Sequence, residues 1–212
     1  MIIAIDGTTA SGKGTIAKRL AAHYGLPHMD TGRLYRATAV AALKAGIPLD
    51  DADALANMAR TLDLADYQEA ELRTAEAGKA ASVVAVIPEV RQALFELQRA
   101  FATQDLGALL DGRDIGTVIA PDADVKLWID ASVEERGYRR WKELRGQGED
   151  VTLKAVIEQL RVRDKRDQSR KDAPAEMAVD AVLIDTTELS IEAAVEKALA
   201  AVEAALARGN RT

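Results

Sequence analysis

Residues 7–15 read Gly7-Thr8-Thr9-Ala10-Ser11-Gly12-Lys13-Gly14-Thr15 and follow directly on the apolar run Ile2-Ile3-Ala4-Ile5. A strand, a glycine-rich turn and a helix opening on a lysine make a cradle for a polyphosphate. Backbone N–H groups wrap the anion, the helix dipole adds its positive end, and the lysine reaches the outer phosphates. Gly7 and Gly12 stand where a side chain would block the approach of the backbone. All nine residues are candidate phosphate ligands. The general pattern places Ser or Thr directly after the lysine, whereas this chain has Gly14 there and its hydroxyl one place later, at Thr15. A magnesium ion is therefore expected to be held mostly through water and the phosphates themselves, a mode this ion tolerates.

A second constellation is Leu109-Leu110-Asp111-Gly112-Arg113-Asp114. An apolar strand that ends in Asp is where a metal-orienting carboxylate belongs in this class of loop, so Asp111 joins Thr15 as a candidate metal ligand. A third is the helical stretch carrying Arg163, Arg166, Asp167 and Arg170, which share one face by their i, i+3, i+4, i+7 spacing. Such a face is an ion-paired surface or a phosphate clamp, and the planar fork of arginine suits bidentate phosphate contacts. Arg36 follows Asp30-Thr31-Gly32, and Arg139 and Arg140 lie in an Arg- and Gly-containing helical hairpin. Candidate bases are scarce. Only His23 and His28 are present, and both read as surface or packing residues. An alcohol acceptor needs a group to take its proton. A phosphate monoester, with a second pKa near ~6, is already an anionic nucleophile and needs only its charge repulsion screened. An arginine-rich, histidine-poor site fits the phosphate acceptor better.

The elements that must position these groups follow from the hydrophobic pattern. Strand-length apolar runs fall at 2–5, 26–29, 108–111, 125–129 and 181–184. Helical patterns fill 13–23, 33–45, 51–61, 69–85, 88–103, 132–146, 152–166 and 190–207. Strands alternating with helices predict an α/β, three-layer P-loop fold around a short parallel sheet of about five strands. Ser132 to Glu135 reads as a capping box, and Ser190 as a helix start. The 212 residues are expected to form one domain. Within it, residues 31–105 are too long for a simple crossover and read as an acceptor-binding insert, and 139–152 as a closing lid.

Composition narrows the partners. The net charge is −6, but residues 136–171 carry twelve basic and six acidic side chains, the rest of the chain sixteen basic and twenty-eight acidic. An acidic chain with one basic patch argues for a small anionic ligand and against nucleic acid. No cysteine is present, and no apolar run approaches the ~18 residues that span a membrane. The expectation is a cytoplasmic monomer without membrane or nucleic-acid partners.

Taken together, the strings Ile3-Ala4-Ile5-Asp6-Gly7, Ser11-Gly12-Lys13-Gly14-Thr15 and Asp30-Thr31-Gly32-Arg33-Leu34-Tyr35-Arg36 resemble the cytidylate kinase branch of the nucleoside-monophosphate kinases. So do Ala80-Ala81-Ser82, Ile87-Pro88-Glu89-Val90-Arg91, Asp111-Gly112-Arg113-Asp114-Ile115-Gly116-Thr117-Val118, Pro121-Asp122-Ala123 and Arg163-Asp164-Lys165-Arg166-Asp167, in order along nearly the whole chain. The resemblance implies transfer of a phosphoryl group from ATP, with Mg²⁺, to CMP or dCMP. It implies that Lys13 and residues 7–15 bind the ATP phosphates, with Arg139 and Arg140 in the lid. Arg36, Arg113 and Arg170 would grip the acceptor phosphate, Ser82, Arg91 and Asp114 would read cytosine, and Arg163 with Asp167 would contact the ribose. Thr31 completes the CMP side, and Lys13, Arg113, Arg139, Arg163 and Arg170 are the implied catalytic set.

Two departures from the family pattern stand out. Thr8 occupies a position where proline is common, and only the short segment Leu64 to Arg73 replaces a block of strands in the insert. Two other functions compete with this one: a P-loop kinase of a metabolite hydroxyl, with Asp30 or Asp114 as base, and a non-catalytic regulator that uses ATP as a switch. The second needs no second anion pocket.

Overall fold

A computed structural model describes residues 1–209. In chain order the elements are β1 (Ile2–Gly7), α1 (Lys13–Tyr24), β2 (His28–Asp30), α2 (Thr31–Ala45), α3 (Ala52–Arg60), α4 (Glu69–Leu72), α5 (Ala75–Val84) and α6 (Pro88–Ala102). Then come β3 (Ala108–Asp111), β4 (Val125–Asp130), α7 (Val133–Gly146), α8 (Leu153–Gln168), β5 (Val182–Asp185) and α9 (Ile191–Gly209). The five strands form one parallel sheet in the order β2-β3-β1-β4-β5. β1 lies at its centre, with Ile3 opposite Leu109 on one side and Val125 on the other. The chain order reverses beside β1, and the carboxyl ends of strands at such a point are where open α/β sheets bind ligands. Gly7, Asp111 and Asp130 close β1, β3 and β4 there.

Two compact units make up the chain. The first contains residues 1–29 and the described residues from Phe101 onward, and the second is Asp30–Ala100. In the first unit Ile3, Ile5, Leu109, Leu127 and Ile129 pack with Ile16 and Leu20 of α1 and Ala198 and Val202 of α9. Ala4, Leu110 and Trp128, which alternate with them, are buried as well, so both sheet faces are covered. With only two Trp, two Phe and four Tyr in the chain, the core is aliphatic and rich in alanine. The second unit is helical. Ala37 and Val40 of α2 pack with Leu72 and Ala77, bordered by Leu62, Leu64 and Tyr67.

Two local expectations need correction, and one local element was not foreseen. The single helix over 69–85 is two, α4 and α5, because Thr74 leaves helical geometry and its hydroxyl accepts from the Ala77 N–H at 3.0 Å as an N-cap. Residues 115–119 form a π-type turn that no periodicity announced. Ser132 caps α7 by accepting from Glu135 N, but the reciprocal half of the box is absent. The Ser132 N–H goes to Thr187 Oγ1, and the Glu135 carboxylate takes Arg139 Nε at 2.9 Å instead.

Candidate active site

The loop between β1 and α1 is pinned from several directions, which gives its backbone a fixed shape before any ligand arrives. Gly7 has φ +147°, and a Cβ there would sit 1.9 Å from the Ile129 carbonyl oxygen, so β4 leaves no room for a side chain. Gly12 caps α1 in the left-handed region at φ 90°. Thr8 donates its N–H to Ile129 O at 3.3 Å and its hydroxyl to Asp130 Oδ1 at 2.6 Å. A proline at that position has no N–H to give, so threonine anchors the loop to β4 by bonds rather than by ring stiffness. Ser11 Oγ bonds Thr8 O across the turn, and buried Thr186, just past β5, donates its hydroxyl to Ser11 O at 2.8 Å. Thr15 is exposed on the first turn of α1.

Lys13 projects from the helix entrance and donates to Asp111 Oδ1 at 3.1 Å; His28 Nε2 meets the other oxygen, Oδ2, at 2.8 Å. Burial alone would push the Asp111 carboxyl up, but Lys13 and His28 outweigh it and hold it at about 2. Asp6, one strand over, is also buried. Its two oxygens accept from Ile115 N at 2.9 Å and Gly116 N at 2.7 Å, which caps the π-type turn. Desolvation pushes its carboxyl up to about 7, with Asp114 adding to the rise and the two N–H donors opposing it.

Arginines border the loop. Arg113, after β3, donates Nη2 to Thr9 Oγ1 at 2.6 Å, Nη1 to Gly112 O at 3.0 Å and Nε to Asp167 Oδ2 at 3.2 Å. Arg170 bonds Asp167 Oδ1, and Arg163 Nε lies 3.9 Å from Asp167 Oδ2. Asp167 thus holds three guanidiniums on one buried carboxylate. Burial opposes its ionisation, and the three arginines more than reverse that and lower its carboxyl below the ordinary value. The Arg170 Nε is buried with no hydrogen-bond partner among the described residues. Gly7, Thr8, Arg113, Trp128, Asp164 and Asp167 line one small cavity, so the cluster opens beside the loop.

Arg139 of α7 donates to Thr186 O at 2.7 Å and Thr186 Oγ1 at 3.0 Å and reaches Ser11 O at 3.4 Å. Arg140 instead pairs with Glu143 on its own helix. Asp114 is buried and its carbonyl begins the π-type turn. The second unit carries the remaining expected residues. Thr31 and Ser82 are buried on α2 and α5. Arg36 Nη2 bonds Asp30 Oδ2 at 2.8 Å while its buried Nε has no hydrogen-bond partner among the described residues. Arg91 sits 6.0 Å over the Tyr35 ring.

Two participants were missed in the sequence. Arg136, which the sequence counted only as one cation of a basic stretch, is buried and bonds Ala131 O, Thr9 O at 3.2 Å and Asp164 Oδ2 at 2.7 Å. His28, read as a surface or packing residue, sits on Asp111. Of the two residues expected to ligate magnesium, Asp111 is buried against Lys13 and His28, and Thr15 is exposed. Among the described residues no three His, Cys, Asp or Glu side chains gather to hold a metal by themselves.

A glycine-lysine loop at the switch point of a parallel sheet, with arginines gathered beside it, defines a P-loop kinase. The same fold is seen in a gluconokinase from Sinorhizobium meliloti, with TM-score 0.53 and 15% identity over 99% of this chain and 95% of that one. It is also seen in TT1252 from Thermus thermophilus, with TM-score 0.52 and 22% identity over 96% of each chain. The family model described as cytidylate kinase matches residues 3–204, and the chain belongs to that family. A cytidylate kinase from Methylocella silvestris is 60% identical over 205 residues, 97% of this chain and 95% of its own. Another from Caulobacter vibrioides is 54% identical over 207 residues, 98% and 97% of the two chains.

Proposed function

We infer that the protein transfers the γ-phosphoryl group of ATP to the phosphate of CMP or dCMP, giving ADP and CDP or dCDP. The observation that carries this reading is Arg113, which bonds the phosphate-binding loop through Thr9 and, through Asp167, a second guanidinium with a donor to spare. A kinase of an alcohol needs a base. This cluster offers positive charge beside the loop, which is what joining two polyanions requires.

In the proposed reaction an oxygen of the acceptor phosphate attacks the γ-phosphorus in line as the bond to the β–γ bridging oxygen breaks, and ADP leaves with that electron pair. Lys13 and the N–H groups of residues 7–15 bind the ATP phosphates, and Arg139, fixed on Thr186 and Ser11, holds α7 against the loop. Arg36, Arg113 and Arg170 take the acceptor phosphate. Ser82, Arg91 and Asp114 read the cytosine edge, Thr31 is a further CMP ligand, and Arg163 with Asp167 contacts the ribose. Both Asp167 oxygens are engaged by arginine, so a sugar hydroxyl shares one of them. Asp111 and Thr15 would hold a magnesium ion, largely through water, and the ion would supply positive charge to offset the negative charge of the ATP phosphates. Residues 31–105 serve as the acceptor-binding insert and 139–152, with Arg140, as the lid. The enzyme acts as a cytoplasmic monomer without nucleic acid. The net charge of −6 speaks against a nucleic-acid partner, and among the described residues no helix is long and apolar enough to cross a membrane.

Turnover of CMP, dCMP, UMP, AMP and gluconate with ATP tests the reading. CMP and dCMP are expected to be the best acceptors, and turnover of gluconate without turnover of CMP would overturn it.

A further inference from the structure

We propose that Asp6 is a positioning residue for Asp114: it caps the turn at 115–119 in place of Asp114, whose carboxylate is thereby kept for the base of the acceptor, and so sets the preference for cytosine over uracil. The proposal rests on the reading of Asp114 as a residue that meets the acceptor base.

Asp114 stands at the N-cap position of the π-type turn, where an aspartate ordinarily accepts from the first N–H groups with its own side chain. Here that side chain makes no capping bond. The Asp6 carboxylate reaches across from β1 and takes those N–H groups instead. Ile115 N bonds Oδ1 at 2.9 Å, and Gly116 N bonds Oδ2 at 2.7 Å. Asp6 is 4% exposed, and the proposed phosphoryl transfer makes no use of it. Burying a carboxylate costs desolvation, and an aspartate already at the cap position could do the same work. The arrangement thus spends one buried carboxylate on the turn and keeps the other out of it.

The segment 112–116 is tied to β1 at both ends. Gly112 N bonds Ile5 O at 2.9 Å, and the Asp6 carboxylate holds residues 115 and 116. Arg113 lies between these ties but has three bonds of its own, to Thr9, Gly112 and Asp167. Asp114 is joined to the turn itself, because its carbonyl accepts from Val118 N at 2.9 Å and Ile119 N at 3.2 Å. Without the Asp6 carboxylate, two buried N–H groups lose their acceptor, and Asp114 is the residue placed to take them. Its carboxylate, drawn onto the turn, no longer meets the exocyclic amine of cytosine. Uracil carries a carbonyl at that position, which a carboxylate does not attract. Loss of Asp6 therefore weakens CMP and spares UMP. No atom of Asp6 touches substrate in this account.

The test compares Asp6→Leu, which removes both acceptors at similar size, with Asp6→Asn, which keeps one. The pH is set well above 7, where Asp6 is ionised. Steady-state kinetics give KM for CMP and the inhibition constant of UMP against it, and calorimetric titration gives ATP binding. Leu is expected to raise KM for CMP roughly tenfold, the scale of one charged hydrogen bond, with UMP and ATP binding within about twofold of wild type. Asn is expected to fall between, at roughly threefold. Should Leu disturb folding, Asn carries the test together with the double variant Asp6→Asn/Asp114→Asn. Asp114→Asn alone is expected to lose the preference for CMP over UMP, and adding Asp6→Asn to lose no more of it. An unchanged KM for CMP would overturn the proposal, as would an equal loss for CMP and UMP, a parallel loss of ATP binding, or additive losses in the double variant. Full preference for CMP in Asp114→Asn would instead strike the reading of Asp114.

Discussion

Arg136→Met removes the guanidinium that joins the phosphate-binding loop to the α7–α8 hairpin. The side chain is 6% exposed and makes three hydrogen bonds, to Ala131 O at 2.9 Å, Thr9 O at 3.2 Å and Asp164 Oδ2 at 2.7 Å. Methionine preserves most of the apolar stem, so the loss comes from polar groups left behind rather than from a cavity. Breaking a buried ion pair from one side costs about 3–5 kcal/mol, because the surviving charge stays desolvated. Asp164 retains 17% exposure and can draw in water, which places the expected loss at the lower end, about 3 kcal/mol. For a chain of this size a loss of that order lowers Tm by roughly 6–12 °C. Scanning calorimetry of the apo protein measures it. The double variant Arg136→Met/Asp164→Leu is expected to regain part of the stability, since a hydrophobic pair replaces the orphaned carboxylate. A single variant within about 1 kcal/mol of wild type, or a double variant less stable than the single, would refute the reasoning.

Arg113→Met is expected to lower kcat by about 10²–10³ through loss of one charge-stabilising donor group. It should change stability much less, because Asp167 keeps Arg170; an unaltered kcat would remove Arg113 from the transferring site. Gly7→Ala should weaken ATP binding and stability together, since its Cβ would lie 1.9 Å from the Ile129 carbonyl oxygen. Wild-type binding in that variant would show that the loop can shift at no cost. Asp6 sets a pH dependence. The folded protein holds the Asp6 proton up to about 7 while the unfolded chain releases it near 4. Relative to Asp6→Asn, wild-type stability in urea should therefore fall as pH rises from about 4 to about 7 and level off above. A difference that stays flat across that window would mean that Asp6 is ionised throughout.

The parts of this molecule that sequence reveals are those built from neighbours in the chain. The nine-residue loop, the five apolar runs and the face of Arg163, Asp167 and Arg170 are each local, and each stands in the structure where its pattern points. What escaped depends on partners far apart. His28 meets Asp111 across 83 positions, and nothing near it distinguishes a lone histidine at a strand edge from a packing residue. Arg136 looks like one more cation in a basic stretch. Only the antiparallel closure of α7 on α8 shows that Asp164, 28 residues on, buries it. The break at Thr74 and the half-made box at Ser132 have a different origin. In both, a polar side chain had two possible partners, and the tertiary fold chose between them. The π-type turn at 115–119 is set by Asp6, over 100 residues upstream, whose carboxylate takes the first two free N–H groups.

The central claim is that the phosphoryl group lands on another phosphate. Phosphorus-31 spectra of a reaction containing ATP, Mg²⁺ and CMP read this directly. The account expects the CMP singlet to give way to the paired doublets of a diphosphate as ADP accumulates in equal amount. A CMP singlet that persists while ATP is consumed to inorganic phosphate, or a new monoester resonance from phosphorylation of a hydroxyl, would contradict it.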